Sequence, residues 1–231
     1  MYSLGRKFSI MTDLNLEYQV ERIIFDSRIA QKGDLFIPLK GLNYDGEDFC
    51  NDAIDKGAAV LTTRNISGPA PVQKVKDAYK ELLEMCKTKL QELKPTIIFI
   101  TGSYGKTTVK DMLKNILGPS CHASKENENN EFGIPFTILS MPQACEYLVV
   151  ECGARKPNDF DLISNYLFCD VFILTSIAEN HLTTFGTVED IINTKMKLKK
   201  CLKDKSNFVD GRSVNKESIL ERNKEILKKT L

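Results

Sequence analysis

The run Ile97-Ile-Phe-Ile-Thr-Gly102-Ser103-Tyr-Gly105-Lys106-Thr107-Thr108 places a lysine and two hydroxyls directly behind two glycines. An apolar strand, a tight turn and a helix start make a geometry that grips phosphate. The first N–H groups of the helix lack intrahelical acceptors, and the positive end of its dipole faces the turn. Gly102 and Gly105 let the backbone curl around an anion without a Cβ in the way. Lys106 adds a mobile positive charge for β- and γ-phosphates, and the Thr107 hydroxyl suits Mg²⁺. The first glycine of the common G-x-x-x-x-G-K-[ST] pattern is missing, its place falling in the apolar strand. An ordinary strand–glycine–helix turn is the plain alternative. A GTPase needs an N-K-x-D guanine reader, but Asn215-Lys216 and Asn223-Lys224 continue as Glu-Ser and Glu-Ile. The loop alone leaves a small-molecule kinase open.

Other residues with chemical potential lie downstream. Glu151 closes an apolar strand over 147–150, where ligand groups of open α/β sheets collect. A carboxylate there suits hard Mg²⁺; a surface glutamate at a strand end fits the position equally. His181 follows a third strand, over 170–174, and by itself reads as a polar loop histidine. Lys195 falls at a solvated position on helix periodicity. Asn129 and Asn130 serve either as ligands or as a helix N-cap.

The elements that must position these residues fall into two groups. Strands are expected over 21–25, 34–39 and 58–61, with a short helix over 48–56 whose Phe49, Ala53 and Ile54 face inward. The breaker cluster 67–72 ends that group. Apolar residues at 75, 78, 79, 82, 83, 86 and 90 predict a bridging helix over 73–93, closed by Lys94-Pro95. Strand and helix then alternate: strand 96–100, helix 106–117, strand 147–150, strand 170–174, helix 188–202. Continuous apolar strands separated by helices imply a parallel sheet covered on both faces. The tail 215–231 reads as an amphipathic helix. The expected fold class is therefore α/β, with a small α/β domain over 1–94, a P-loop parallel-sheet domain over 95–205 and a basic helical tail over 206–231 left unassigned.

Composition bounds the function classes. Of 231 residues, 42% are hydrophobic and 27% charged, which fits a soluble globular chain rather than a disordered one. No apolar run reaches the roughly 20 residues of a membrane span, and the N-terminus lacks the pattern of a secretory signal, so a cytoplasmic protein is expected. The formal net charge is +1. From Lys195 onward, however, twelve basic residues face five acidic ones. That stretch has a single aromatic, Phe208, rather than aromatics interleaved with the charges, which argues against a nucleic-acid module. Seven cysteines without a C-x-x-C pair are expected to be reduced, with Cys152 and Cys169 in the core. His122 and His181 have no cysteine pairs at zinc-ligand spacing.

The short loop T-G-S-x-G-K-T-T, followed by Val109-Lys110-Asp111-Met112, resembles the ATP loop of the Mur ligase family, in its D-Ala-D-Ala-adding branch. Further segments agree in order. Asp26-Ser27-Arg28, Gly33-Asp34-Leu35-Phe36, Lys40-Gly41 and Asp45-Gly46-Glu47-Asp48-Phe49 resemble the family's UDP-sugar domain. Asn129-Asn130-Glu131-Phe-Gly133-Ile-Pro135 resembles its Asn-rich turn. Val149-Val150-Glu151-Cys-Gly153-Ala154 resembles the strand carrying a magnesium-ligating Glu, and the stretch from Thr175 through His181-Leu182 and Phe185-Gly186 to Lys195 resembles the His and modified-Lys segment.

The resemblance implies an ATP- and Mg²⁺-dependent ligase of peptidoglycan precursor synthesis that joins D-Ala-D-Ala to UDP-N-acetylmuramoyl-tripeptide through an acyl phosphate. It implies a loop of Gly102, Ser103, Gly105, Lys106, Thr107 and Thr108 around ATP. Metal ligands would be Thr107, Glu151, His181 and a carbamylated Lys195, with Lys106, Lys195 and His181 as the catalytic set. Ser27, Arg28, Lys40 and Gly41 would meet the uridine diphosphate group, Asp26 would brace its turn, and Asn129 and Asn130 would meet peptide or phosphate. Three local departures stand out: Arg155-Lys156 where the family shows Asn-His, Glu47 in place of a His, and Asn180 before His181. The family's central domain continues past the modified lysine and is followed by a C-terminal domain that closes over ATP. The expectation is thus a truncated ligase, with a sheet edge uncovered and the acyl phosphate open to water, completed by a partner chain or inactive. A ligase-derived binding protein without catalysis, or a sister ligase adding a diamino acid, is the alternative.

Overall fold

The computed structural model describes residues 20–41, 44–125, 128–179 and 182–213. The chain divides into two compact units, Met1–Met85 and Cys86–Leu231.

In the first unit, β1 (Arg22–Ile24), β2 (Asp34–Phe36), β3 (Ala59–Thr62) and β4 (Val72–Lys74) form an all-parallel sheet in the order β1-β2-β3-β4. Helix α1 (Cys50–Asp55) crosses between β2 and β3, and Ile24, Phe36, Cys50, Ala53, Ile54 and Val60 pack as one apolar cluster. Arg22 and Asp34, register partners on β1 and β2, make a buried ion pair at 2.5 Å. Arg22 also donates to Ile29 O at 3.1 Å, which anchors the turn after β1.

Two expectations fail in this unit. Phe49 is 40% exposed rather than inward. A 3-10 turn over Gly46–Phe49 precedes α1 and shifts the helical phase, so Cys50 takes the buried position. The breaker cluster does not end the unit either: it leads into the edge strand β4, and α2 (Ala78–Leu93) starts only after Asp77. The Asp77 Oδ1 accepts from Tyr79 N at 3.0 Å and Lys80 N at 3.1 Å, an N-cap that sets the helix start past the apolar Val75.

In the second unit, β5 (Thr96–Thr101) is central. It is followed by α3 (Lys106–Leu117), β6 (Cys121–Ala123), α4 (Gly133–Leu139), β7 (Tyr147–Glu151), α5 (Asp161–Tyr166), β8 (Val171–Leu174), α6 (Leu182–Phe185), α7 (Val188–Met196) and β9 (Phe208–Asp210). The sheet is parallel throughout, in the order β6-β7-β5-β8-β9. One face, with Ile98, Ile100, Val149 and Ile173, packs on Val109 and Leu113 of α3. By strand alternation Ile97, Phe99, Leu148, Val150 and Phe172 face the other side and are equally buried. The connection after β5 runs to one side of the sheet and the one after β8 to the other, so a topological switch point lies between their carboxyl ends.

Here too the sequence reading needs correction. The helix expected over 188–202 ends at Met196, and Lys197–Cys201 is a 3-10 stretch. Residues 206–213 do not form a continuous helix: short 3-10 turns over Lys205–Asn207 and Gly211–Ser213 flank β9, which pairs with β8 (Phe172↔Phe208, Ile173↔Val209, Leu174↔Asp210) and covers its edge. A three-residue strand between polar turns carries no periodicity to read. The basic stretch is not a uniformly solvated face. Lys195 is buried, Lys199 lies over the Phe208 ring, and Lys203 pairs with Asp170 at 2.8 Å. The helix expected over 215–231 lies outside the described residues. No helix among the described residues is long and apolar enough to cross a membrane.

Candidate functional site

The loop between β5 and α3 sits at the switch point, and the loop after β8 holds it in shape. Gly102 has φ +149°, and a Cβ there would meet Thr175 Oγ1 at 2.1 Å and Ser176 N at 2.9 Å. Only glycine allows this approach. Ser103 N donates to Ser176 O at 2.9 Å, and Tyr104 N donates to Ser176 Oγ at 2.9 Å. Thr175 Oγ1 donates to Tyr104 O at 2.6 Å, and Ala178 N donates to Ser103 Oγ at 3.0 Å. Gly105, in the left-handed region at φ +85°, precedes α3 without a side-chain cap. The first N–H groups of α3 are thus left for a ligand, as anion binding at a helix start requires.

Three side chains converge on this loop. Lys106 donates to Gly102 O at 2.9 Å and to Ser103 O at 3.4 Å, and burial pushes its pKa down. Lys195, in the last turn of α7, is only 2% exposed and donates to the same Gly102 O at 3.4 Å. Its pKa falls to about 8 through burial, helped by the charge of Lys106. The solvated position expected from helix periodicity is therefore wrong: Ile191, Thr194 and Lys195 form the buried face of α7. Thr107 Oγ1 donates to Glu151 Oε2 at 2.9 Å.

Glu151, buried at the end of β7, is held from three directions. Besides Thr107, Asn129 Nδ2 donates to its Oε1 at 3.0 Å, and its backbone N donates to Ser124 Oγ at 3.0 Å. The two asparagines part company here. Asn130 Oδ1 accepts from Phe132 N at 3.1 Å and Gly133 N at 2.8 Å, which shapes the start of α4. Asn129 aims at Glu151, and its carbonyl accepts from Gly153 N at 2.6 Å. Thr108 lies exposed in the first turn of α3.

The remaining sites lie elsewhere. His181 falls outside the described residues. Ser27, Arg28, Lys40 and Gly41 belong to the first unit, on turns beyond the carboxyl ends of β1 and β2. Ser27 is buried, and Lys56 Nζ donates to Ser27 O at 2.8 Å. Arg28, with its side chain 87% exposed, pairs with Asp26, which also accepts from Arg28 N at 3.0 Å and so caps the turn. Lys40 is exposed, and Gly41 N donates to Tyr44 O at 3.0 Å. Glu47, a departure in the sequence, ties its turn to the end of β3: Oε2 accepts from Thr62 Oγ1 at 2.5 Å and Oε1 from Thr63 N at 2.8 Å.

Sequence reasoning passed over Ser124, and read Thr175 and Ser176 only as part of a resembling segment. Short hydroxyl residues just past apolar strands were the available signal. Among the described residues, no group of three or more His, Cys, Asp or Glu is placed to hold a metal. The hard-oxygen pair is Thr107 and Glu151.

A family model for the Mur ligase middle domain matches residues 100–229. The stretch 206–229, unassigned from the sequence, falls within that match. The UDP-N-acetylmuramoyl-tripeptide--D-alanyl-D-alanine ligase of Bacillus subtilis is 37% identical over 191 residues, covering 80% of this chain and 42% of that protein. The crystal structure of MurF ligase from Thermotoga maritima in complex with ADP superposes with a TM-score of 0.71 at 34% identity, over 79% of this chain and 43% of that one. The UDP-N-acetylmuramoylalanyl-D-glutamyl-2,6-diaminopimelate--D-alanyl-D-alanyl ligase from Acinetobacter baumannii gives 0.72 at 25% identity, over 93% and 47%. The chain spans less than half the length of these relatives.

Proposed function

This chain belongs to the Mur ligase family, and from that premise we propose that it carries the nucleotide-binding and carboxylate-activating part of an ATP-dependent ligase that joins D-Ala-D-Ala to UDP-N-acetylmuramoyl-tripeptide. The observation that carries the reading is the convergence of Lys106, Lys195 and the Thr107–Glu151 pair on the loop Gly102–Gly105. In the first step the C-terminal carboxylate of the tripeptide attacks the γ-phosphorus of ATP. A P–O bond to ADP breaks and an acyl phosphate forms. In the second, the amine of D-Ala-D-Ala attacks the acyl carbon, phosphate leaves and the amine gives up a proton.

Two anions meet in the first step, so fixed positive charge and N–H donors must offset their repulsion. The uncapped start of α3 supplies the donors. Lys106, resting on the Gly102 and Ser103 carbonyls, exchanges those contacts for phosphate oxygens. Thr107 and Glu151 offer adjacent hard oxygens that fit Mg²⁺; the ion, once bound, would neutralise phosphate charge as it develops. Asn129 and Ser124 fix the Glu151 carboxylate in place. Burial supports carbamylation of Lys195, because it raises the neutral amine fraction that adds CO₂ with release of a proton. The resulting anion, with His181, would complete the metal ligands. Ser27, Arg28, Lys40 and Gly41 would hold the uridine diphosphate group, and Thr108 and Ser103 would complete the phosphate loop. The domain that brings the amine would come from further sequence or a partner chain. Seven free, buried cysteines fit a reducing cytoplasm as the site of action.

The match to the middle domain also fits one second reading, a protein that binds nucleotide or UDP-muramyl peptide without turnover. Phosphate release from ATP, measured with UDP-N-acetylmuramoyl-tripeptide and D-Ala-D-Ala present, separates the two. Release that needs both substrates and disappears in Lys106→Ala is the expected result. Binding of nucleotide or UDP-muramyl peptide without turnover selects the binding reading, absence of adenine-nucleotide binding overturns the ligase reading, and absence of both kinds of binding overturns both.

A further inference from the structure

The segment after β7 joins three parts of the candidate site. Gly153 N donates to Asn129 O at 2.6 Å, which ties it to the residue that holds Glu151. Arg155 N and Lys156 N donate to Asp159 Oδ2 at 2.8 and 3.2 Å, and Asp161 N donates to Asn158 O at 3.0 Å, so the backbone closes into a turn ahead of α5. Thr184 of α6 donates to Arg155 O. Lys197 grips the far end of the same turn: its Nζ donates to Asn158 Oδ1 at 2.8 Å and to Asp161 Oδ1. Asn158 has φ +74°, in the left-handed region that a side chain disfavours. An ammonium bonded to the amide of that residue helps to hold it there.

Lys197 stands two residues past Lys195, where α7 gives way to the 3-10 stretch Lys197–Cys201. Two residues turn a helix by about 200°, so the two lysines leave the chain on nearly opposite sides. Lys195 is buried and reaches Gly102 O at 3.4 Å, whereas Lys197 is fixed to the start of α5. Burial and the charge of Lys106 both disfavour the Lys195 ammonium at that place. Left to itself, the last turn of α7 would gain by rotating that ammonium toward water, and an anchor on the opposite side resists the rotation. We propose that Lys197 is a positioning residue: its grip on Asn158 and Asp161 fixes the last turn of α7 and keeps the Lys195 amine at the phosphate loop. The use made of that amine rests on the ligase reading above, in which the grip sets where a carbamate on Lys195 would stand.

Reductive methylation of the native chain with formaldehyde and cyanoborohydride, at pH 8 in buffer freed of bicarbonate, reads the exposure of each lysine amine when the products are mapped by peptide mass. Leu198 and Cys201 keep the 3-10 stretch packed without the grip, so Lys197→Ala is expected to fold. In that variant Lys195 should be methylated about tenfold faster than in the parent. Asp161→Ala removes one of the two acceptors and should give a smaller rise in the same direction. Lys89, buried elsewhere in the second unit, should keep its parent rate in both variants. Lys197→Arg, which keeps a cation for Asp161, should bring the Lys195 rate back to within about threefold of the parent. Parent-like rates at Lys195 in both alanine variants overturn the proposal. So does a rise at Lys89 that matches the rise at Lys195, because a general loosening then explains both, and so does a failure of arginine to restore the rate. Adenine-nucleotide titration of the same samples is a separate readout: a parent that binds no nucleotide ends the ligase reading, while the Lys195 rates still decide the role of Lys197.

Discussion

Gly102 shows how one residue ties the phosphate loop to the rest of the sheet. Its lack of a Cβ lets Thr175 and Ser176 come close enough to bond the loop's backbone. Gly102→Ala is expected to cost about 1–3 kcal/mol of stability from backbone strain alone, with more from the clash, and to abolish nucleotide binding. Denaturant unfolding and a nucleotide titration read the two effects separately; a variant that unfolds like the parent and binds nucleotide would refute the account. The glycine, the lysine and the Thr107 hydroxyl were legible from type and spacing in G-S-Y-G-K-T-T. The partners that shape them were not: nothing in the sequence joins Gly102 to Thr175, seventy-three residues on. Lys195 is the sharper case. Local periodicity placed it in solvent, whereas the packing of α7 buries its ammonium against Gly102 O and beside Lys106.

At the scale of elements, α4 positions the Asn129 turn, and its last turn is held by buried groups. Lys89 of α2 donates to Leu139 O at 2.5 Å, and His122 Nε2 lies 3.0 Å from Thr137 O. Burial lowers the Lys89 pKa to about 8. A lysine whose folded pKa lies below its unfolded value binds fewer protons when folded. The penalty is complete below about pH 8 and is relieved as pH rises toward the ordinary lysine value. Lys89→Met should therefore gain on the parent by roughly 2 kcal/mol more at pH 7 than at pH 9.5. Urea unfolding at both values checks this; a difference independent of pH would show the ammonium to be solvated. Long apolar strands such as β5 and β7 were plain in the sequence, because burial on both faces leaves a continuous apolar run. The strands β4, β6 and β9 were missed, since each is three residues long and lies at a sheet edge, where little apolar signal is needed.

For the whole molecule, two parallel sheets bury all seven cysteines. Burial raises the Cys50 and Cys201 thiols to about 12 and the Cys121 thiol to about 11. Thiol reagents at pH 8 are expected to react with the native chain far more slowly than with the unfolded one, which should release seven equivalents. Rapid modification of several thiols without denaturant would contradict the burial. The sequence by itself determined the α/β class, the central strands and the phosphate loop. Those depend on local patterns: apolar runs, glycine spacing, and a lysine at a helix start. The tertiary structure alone decided which loop braces that turn, that Lys195 is buried, that Asn129 and Asn130 divide their tasks, and that β9 covers the edge of β8. Each of these depends on chain segments far apart in sequence meeting at one end of a sheet, and the order in which parallel strands assemble is set by packing between elements rather than by any pattern within one of them.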